Sequence, residues 1–401
     1  MTRLPDTGWR RAEGLDRLME ALGAPDGMIR FVGGAVRDSL LGLPVKDVDC
    51  ATRWRPEDSM ERIVRAGFKV IPTGLAHGTV TALIPSGPVE VTTLRRDLST
   101  DGRHATVAFT NEWREDAARR DFTINALSAD PVTGELFDYF DGLDDLRDGR
   151  VRFIGDALQR IAEDHLRILR FFRFHERFGR GEPDAEAMQA CVARANDLMA
   201  LSRERIADEL LKLLGGTNPA PTIALMLDNG LFRPIIPEID RSGADRLARL
   251  VAREHLSGTR PDSLRRLGAL LPQDPAIAVA IARRLKLSKL ATRRLELAAN
   301  AATGPARALA YRFGEDVAID LLLRGEVAAE HLGLDQLSGW ERPRLPLGGG
   351  ELIAMGLEPG PVVAATLQRI ERQWIEEDFP DDERVTLLAR EAVDQSLRSR
   401  Q

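Results

Sequence analysis

The chain has 401 residues, 43% of them hydrophobic and 29% charged, with 56 Lys and Arg against 62 Asp and Glu for a formal net charge of −6. That length exceeds what one hydrophobic core holds, and that composition excludes an intrinsically disordered chain. The acidic balance argues against a protein that coats nucleic acid without specificity, because such binding needs clustered Lys and Arg.

Two cysteines, Cys50 and Cys191, stand far apart and form no metal or redox spacing. The N-terminus lacks the apolar core of a signal peptide, and no apolar run approaches the ~20 residues of a membrane span. A cytoplasmic protein without membrane association is expected.

From about Met28 to Tyr139 short β-rich runs alternate with turns: IRFVGG, KDVDCAT, FKVIPT, GTVTALIP, PVEVTTL, ATVAFT and GELFDYF. Helical patterns interrupt them at Ala35–Leu41 and Pro56–Ala66. After Asp144 the strand signal fades and Leu-, Ala- and Arg-rich segments of helical period follow. Among these are DALQRIAEDHLRILRFFRFHERF, SRERIADELLKLL, PTIALMLDNGLF and PAIAVAIARRLKLSKLATRRLELAAN. Breaks near Gly215–Pro221, Leu271–Pro275 and Arg342–Gly350 subdivide the helical part, and two helices are expected after PRLPLGGGELIAMGLEPGP. The expected class is α+β, an α/β head followed by an all-helical remainder.

Four segments carry chemistry. In FVGGAVRDSLLGLPVKDVD a strand runs through Gly33-Gly34 into a helix. Glycine permits close approach of a ligand, the helix N-terminus offers N–H groups to phosphate, and Arg37 adds a charged donor. Asp47 and Asp49, two apart in a strand, aim their carboxylates at one spot, a like-charge pair that suits Mg²⁺. Glu90, an acid among β-branched residues in PVEVTTL, is the candidate third carboxylate. In ARRDFTINALSAD, Arg120 suits phosphate, and Asp121 and Asn125 at helical i, i+4 spacing suit a shared ribose hydroxyl. In RIAEDHLRILRFFRFHERF, Asp164, Arg167, Arg170 and Arg173 recur every three residues and form a stripe on one helix. Asp164 and Arg167 at i, i+3 are expected to pair and to offer an acceptor and donors to a base edge. From Val151 to Arg180 arginines outnumber acids, a place for a specific RNA.

Taken in order, GGAVRD with KDVD, RRDFTINAL and EDHLRILRFFRF resemble the bacterial class II CCA-adding enzymes of the nucleotidyltransferase superfamily, which includes bacterial poly(A) polymerases. The tail PLGGGELIAMGLEPGP resembles that family's PLxGxxL…GP pattern. The resemblance implies template-independent addition of CCA to the tRNA 3′ end from CTP and ATP, with release of pyrophosphate. It implies Mg²⁺ on Asp47 and Asp49, triphosphate contacts from Gly34 and Arg37, and ribose selection by Arg120, Asp121 and Asn125. Asp164 and Arg167 match the pair that templates the base, and Arg170 and Arg173 continue the nucleotide-contacting series.

The implied architecture is a hooked arrangement of a nucleotidyltransferase head (1–148), a neck with the base-recognition helix (149–215), and a body (216–341) and tail (342–401) that hold tRNA. No protein partner is implied. RRDLSTDGRHATV, with Asp101, Gly102 and Arg103, resembles the flexible loop of full CCA-adding enzymes. His77 and the basic stretch ARRLKLSKLATRR are weaker candidates for nucleotide and tRNA contacts. The competing expectations are a bacterial poly(A) polymerase, an A-only adding tRNA nucleotidyltransferase and, from another class, a catalytically inactive RNA-binding module.

Overall fold

The computed structural model describes residues 3–100, 105–325 and 332–398. Residues 1–237 and 238–401 each form a compact unit. The first opens with α1 (Leu15–Ala21) and continues through β1 (Ile29–Val32), α2 (Gly34–Leu40), β2 (Val48–Thr52), α3 (Pro56–Arg65), β3 (Lys69–Gly74), β4 (Thr79–Ile84) and β5 (Gly87–Thr93). A hairpin of β6 (Arg95–Thr100) and β7 (Ala105–Phe109) precedes α4 (Trp113–Ala118), β8 (Ser128–Ala129), β9 (Leu136–Phe137) and α5 (Gly142–Asp148). The helices α6 (Ala157–Glu163), α7 (Leu166–Phe178), α8 (Ala185–Ala193), α9 (Arg203–Leu214) and α10 (Ala220–Asp228) complete it. This is the expected α/β head followed by helices.

The main sheet has the order β3-β4-β5-β2-β1-β8-β9. Its neighbours are antiparallel except β2 and β5, which run parallel with Asp49 opposite Glu90. Alternation then decides which side chains meet: Val89, Val91 and Thr93 enter the core, so Glu90 and Thr92 lie on the other face. Asp47 sits one residue before β2 begins, so only Asp49 of the pair is held by the ladder.

α7 shows why the helical stretch nearest the head is so rich in Phe. Ile168, Leu169, Phe171, Phe172, Phe174 and Phe178 are buried, while Arg167, Arg170, Arg173 and Arg177 fall on the remaining face. Phe122 of the head lies 4.9 Å from Phe153 and 5.1 Å from Phe174, so an aromatic cluster fixes the Asp121–Asn125 segment against α7.

Two expected helices are shorter than their sequence patterns. The stretch read as one helix through Asp164 is broken between α6 and α7, with Asp164 in extended conformation at φ −153° and ψ 107°. The Asp121–Asn125 segment is not α-helical either; a 3-10 turn spans Thr123–Asn125. There the Asp121 carboxylate accepts the Phe122 N–H, while Phe122 itself bridges to Phe153. A carboxylate that competes for local N–H groups disfavours a regular helix.

The second unit is helical among its described residues: α11 (Arg241–Leu256), α12 (Ser263–Leu270), α13 (Pro275–Arg284), α14 (Lys289–Ala298), α15 (Ala306–Phe313), α16 (Glu315–Arg324), α17 (Gly349–Ala354), α18 (Pro361–Glu376) and α19 (Asp382–Arg398). The basic stretch ARRLKLSKLATRR divides into α13 and α14, because Lys286 is left-handed at φ 54° and Ser288 caps the next helix through the Ala291 N–H. Inside this unit Glu254 accepts from Arg265 and Arg266, each at 2.8 Å. Asp320 accepts from Arg265 at 2.9 Å and Arg294 at 2.8 Å. Trp374 and Phe379 pack with Tyr311, whose hydroxyl donates to Glu371 at 2.6 Å. No helix of the described residues is long and apolar enough to cross a membrane.

Candidate active site

A cavity of about 400 Å³ in the first unit brings together Gly33, Gly34, Arg37, Asp49, Arg120, Asp121, Asn125, Asp164, Arg167 and Arg170, with Arg119 and Phe174. Segments far apart in the chain thus share one space. Asp47, Glu90 and Arg173 are not in its lining.

The floor begins at Gly33, whose φ of 64° and ψ of −124° suit only glycine. A Cβ there would lie 3.1 Å from Arg120 Nη1, so glycine also makes room for that guanidinium. Arg37 is 6% exposed and already engaged. Its Nε donates to Asp38 at 2.8 Å, its Nη1 donates to the Asn125 side-chain oxygen, and its guanidinium lies over the Phe178 ring. Arg177 from α7 reaches the other oxygen of Asp38 at 3.1 Å. In this arrangement Arg37 lines the cavity and at the same time orients Asn125.

Along one edge lie the carboxylates. Burial pushes the Asp49 carboxyl above its ordinary value, with Arg120 opposing and Asp47 adding to the rise. Burial likewise raises Glu90, helped by the charges of Asp49 and Asp47. This is a ledge of oxygen donors whose mutual repulsion a divalent cation would relieve. It is not a closed protein cage: among the described residues no three His, Cys, Asp or Glu side chains are gathered closely enough to hold a metal.

In the same cavity, Asn125 Nδ2 donates to Asp121 Oδ1 at 3.0 Å, and Arg170 Nε donates to Asp121 Oδ2 at 2.7 Å. The expected Asp121–Asn125 contact therefore forms without the expected helix. Burial raises the Asp121 carboxyl, but Arg170 and the Asn125 bond outweigh it and hold it below the usual range. Arg173 is turned to the buried Glu209 of α9 at 2.6 Å.

The Asp164–Arg167 ion pair expected from the i, i+3 spacing does not form. With Asp164 outside the helix, Glu163 is the carboxylate that meets Arg167, at 2.6 Å. The Arg167 guanidinium also donates to the carbonyls of Arg160 at 2.9 Å and Arg119 at 3.2 Å. Asp164 pairs instead with Arg205 of α9 at 2.7 Å.

Sequence reasoning missed several organising residues. Asp116, 3% exposed, accepts from Arg119 at 2.8 Å, from Arg120 at 3.4 Å and from the Arg95 N–H at 3.2 Å. Burial raises its carboxyl, but Arg119 and Arg120 more than compensate and hold it low. The signal for Asp116 was its place three and four residues before Arg119 and Arg120, on one helical face. Glu209, Arg205 and Phe174 carried no comparable local signal. His77 is exposed, and its carbonyl accepts from Arg95. Asp101, Gly102 and Arg103 lie outside the described residues.

Comparison with known proteins identifies the family. Residues 29–152 match the family described as "Poly A polymerase head domain", and residues 182–242 match "Probable RNA and SrmB- binding site of polymerase A". The mitochondrial CCA tRNA nucleotidyltransferase 1 of Mus musculus is 36% identical over 385 residues, 90% of this chain and 86% of the relative. The CCA-adding enzyme of Latilactobacillus sakei is 32% identical over 385 residues, covering 90% and 92%. Among solved structures, the Bacillus stearothermophilus CCA-adding enzyme in complex with CTP superposes with a TM-score of 0.74 at 27% identity, covering 96% of each chain. The ordered motifs, the shared fold and relatives aligned over most of their length place this chain in the family of CCA-adding tRNA nucleotidyltransferases.

Proposed function

We propose that this chain adds CCA to the 3′ end of tRNA from CTP and ATP, without a nucleic-acid template and with release of pyrophosphate. The observation that carries the reading is the single cavity in which the Gly33-Gly34 turn, Asp49, the Asp121–Asn125 pair, and Asp164 with Arg167 converge. The CCA-adding activity in the names of the full-length relatives supports it and does not favour the poly(A) or A-only alternatives.

Membership of a nucleotidyltransferase family implies a divalent metal. We assign Mg²⁺ to Asp47 and Asp49, with Glu90, opposite Asp49 on β5, adding negative charge beside them rather than closing a three-carboxylate cage; an ion bound there would supply charge neutralisation for the triphosphate and for the 3′ hydroxyl. The chain's own residues do the rest. The Gly33-Gly34 turn and Arg120 receive phosphates. Asp121 and Asn125, braced by Arg170 and Arg37, meet the ribose. Asp164 and Arg167 read the base edge, and Arg173 acts through Glu209. The RNA 3′ hydroxyl attacks the α-phosphorus in line and pyrophosphate departs.

The head (1–148) performs this step and the neck (149–215) supplies the base-recognition residues, while the body (216–341) and tail (342–401) hold the acceptor end of tRNA by backbone and shape. Two buried free thiols, Cys50 and Cys191, suit a reducing compartment such as the cytoplasm.

The test is one transcribed tRNA ending at its discriminator base, incubated with Mg²⁺ and CTP, ATP or both, and resolved at single-nucleotide length. Growth by two with CTP and by three with both, followed by a stop, is the expected result. A ladder of adenosines, or a single A added only to tRNA already ending in CC, would overturn it.

A further inference from the structure

Each carboxylate oxygen of Asp164 has its own donor. Oδ1 accepts the Leu166 backbone N–H at 3.1 Å, and Oδ2 accepts Arg205 Nη2 at 2.7 Å. Arg205 comes from α9, 41 positions along the chain, and both side chains are only about one-third open. Arg167, the partner that spacing suggests, is bound to Glu163 and to two carbonyls. We propose that Arg205 is a specificity-determining positioning residue, which fixes the direction of Asp164's lone pairs and thereby sets the preference for CTP and ATP over UTP and GTP. The proposal deepens the nucleotidyl-transfer reading above and rests on it.

The chemistry follows from what a paired carboxylate can do. Held against a guanidinium, it accepts hydrogen bonds and donates none. Cytosine and adenine carry an amino donor at N4 and N6, where uracil and guanine carry carbonyl acceptors. One fixed acceptor therefore favours both permitted bases and repels both others, so a single residue can serve two different nucleotides. A carboxylate free to rotate would turn away from an opposing carbonyl and tolerate the wrong base. With Leu166 holding one oxygen and Arg205 the other, that rotation is removed. α9 does not depend on Arg205 for its place, because Ile206, Leu210 and Leu213 are buried and Glu209 binds Arg173.

The experiment uses the full chain and a tRNA transcript ending at its discriminator base, with kcat and KM determined for CTP, ATP, UTP and GTP. Wild type, R205A, R205K, D164N and the D164N/R205A double variant are compared. In R205A the ratio of kcat/KM for CTP over UTP is expected to fall about tenfold. Lysine keeps the charge without the planar fork, so R205K should recover part of the ratio. In the D164N background the same arginine removal should leave the ratio unchanged, since its route of action is gone.

A uniform loss of kcat for all four nucleotides with the ratio intact would assign Arg205 to mere scaffolding. An undiminished ratio effect in D164N would overturn the route through Asp164. Should R205A lose its cooperative melt, R205Q takes its place with the same expectations. A wild-type chain that shows no preference for CTP and ATP would instead remove the underlying reading of function.

Discussion

Two arginine–carboxylate clusters in this chain look alike on paper and differ in accessibility. Around the cavity, Arg167, Arg170 and Arg173 meet Glu163, Asp121 and Glu209, with Arg170 30% and Asp164 28% exposed. In residues 238–401, Arg265, Arg266 and Arg294 meet Glu254 and Asp320, two acids only 2% exposed, and Arg266 is 1% exposed. A guanidinium has five donors and a carboxylate about four acceptor positions. Where the cluster is enclosed, those positions turn inward and hold helices together. Where one side faces a cavity, the pairs brace each other and still present edges to a ligand. Charge pattern alone does not separate the two; the cavity that Asp121, Arg167 and Arg170 line does.

The comparison breaks most sharply if the cavity side proves structural. Asp49→Ala should reduce nucleotide incorporation on the order of a thousandfold with an unchanged melting temperature. A lowered melting temperature with proportionate activity would reverse the assignment. On the enclosed side the opposite is expected. Glu254→Ala leaves Arg265 and Arg266 without a shared carboxylate and should cost about 3–5 kcal/mol in denaturant unfolding. Loss of turnover in a variant of unchanged stability would place Glu254 in the wrong class.

Asn125→Ala gives a finer test. If Asp121 and Asn125 meet the ribose, the preference for CTP over dCTP should fall about tenfold in kcat/KM while incorporation of CTP survives. The smallest effect belongs to Tyr311. Burial, with the Glu371 bond, raises its phenol from 10.0 to about 12. A raised value means that the folded chain holds this proton more tightly than the unfolded one. Its contribution is therefore complete below pH 10 and lost as pH rises through about 12. Tyr311→Phe should cost about 1 kcal/mol at neutral pH and flatten that alkaline loss. Only two tyrosines, Tyr139 and Tyr311, are present, so phenolate absorbance in a Tyr139→Phe background follows Tyr311 alone.

How much of this was legible in advance depended on distance along the chain. Period and turn chemistry located the head strands, α2, α3 and the two long C-terminal helices, because those signals are local. The Gly33-Gly34 turn, Asp49, and the Asp121–Asn125 contact were readable for the same reason. The Asp164–Arg167 pair was misread because spacing assumes an unbroken helix, and the extended Asp164 interrupts it. Arg205 and Glu209 were invisible, since their partners lie 41 and 36 residues away. Asp47 and Asp49 were treated as equivalents, yet the strand begins at Val48 and holds only the second.

The junction between α6 and α7 also dictates what kind of genetic change this protein can absorb. Loops normally accept insertions and deletions, and the two residues Asp164 and His165 are the only chain between these helices. One residue added there would part the Asp164 carboxylate from the Leu166 N–H at the start of α7, while the buried Phe face of α7 holds the row Arg167, Arg170 and Arg173 in place. Every side chain of the site would still be present, and the carboxylate would no longer stand where it meets both Leu166 and Arg205. For this short connector, length is inherited along with sequence, and length variation should be as damaging as the loss of a side chain.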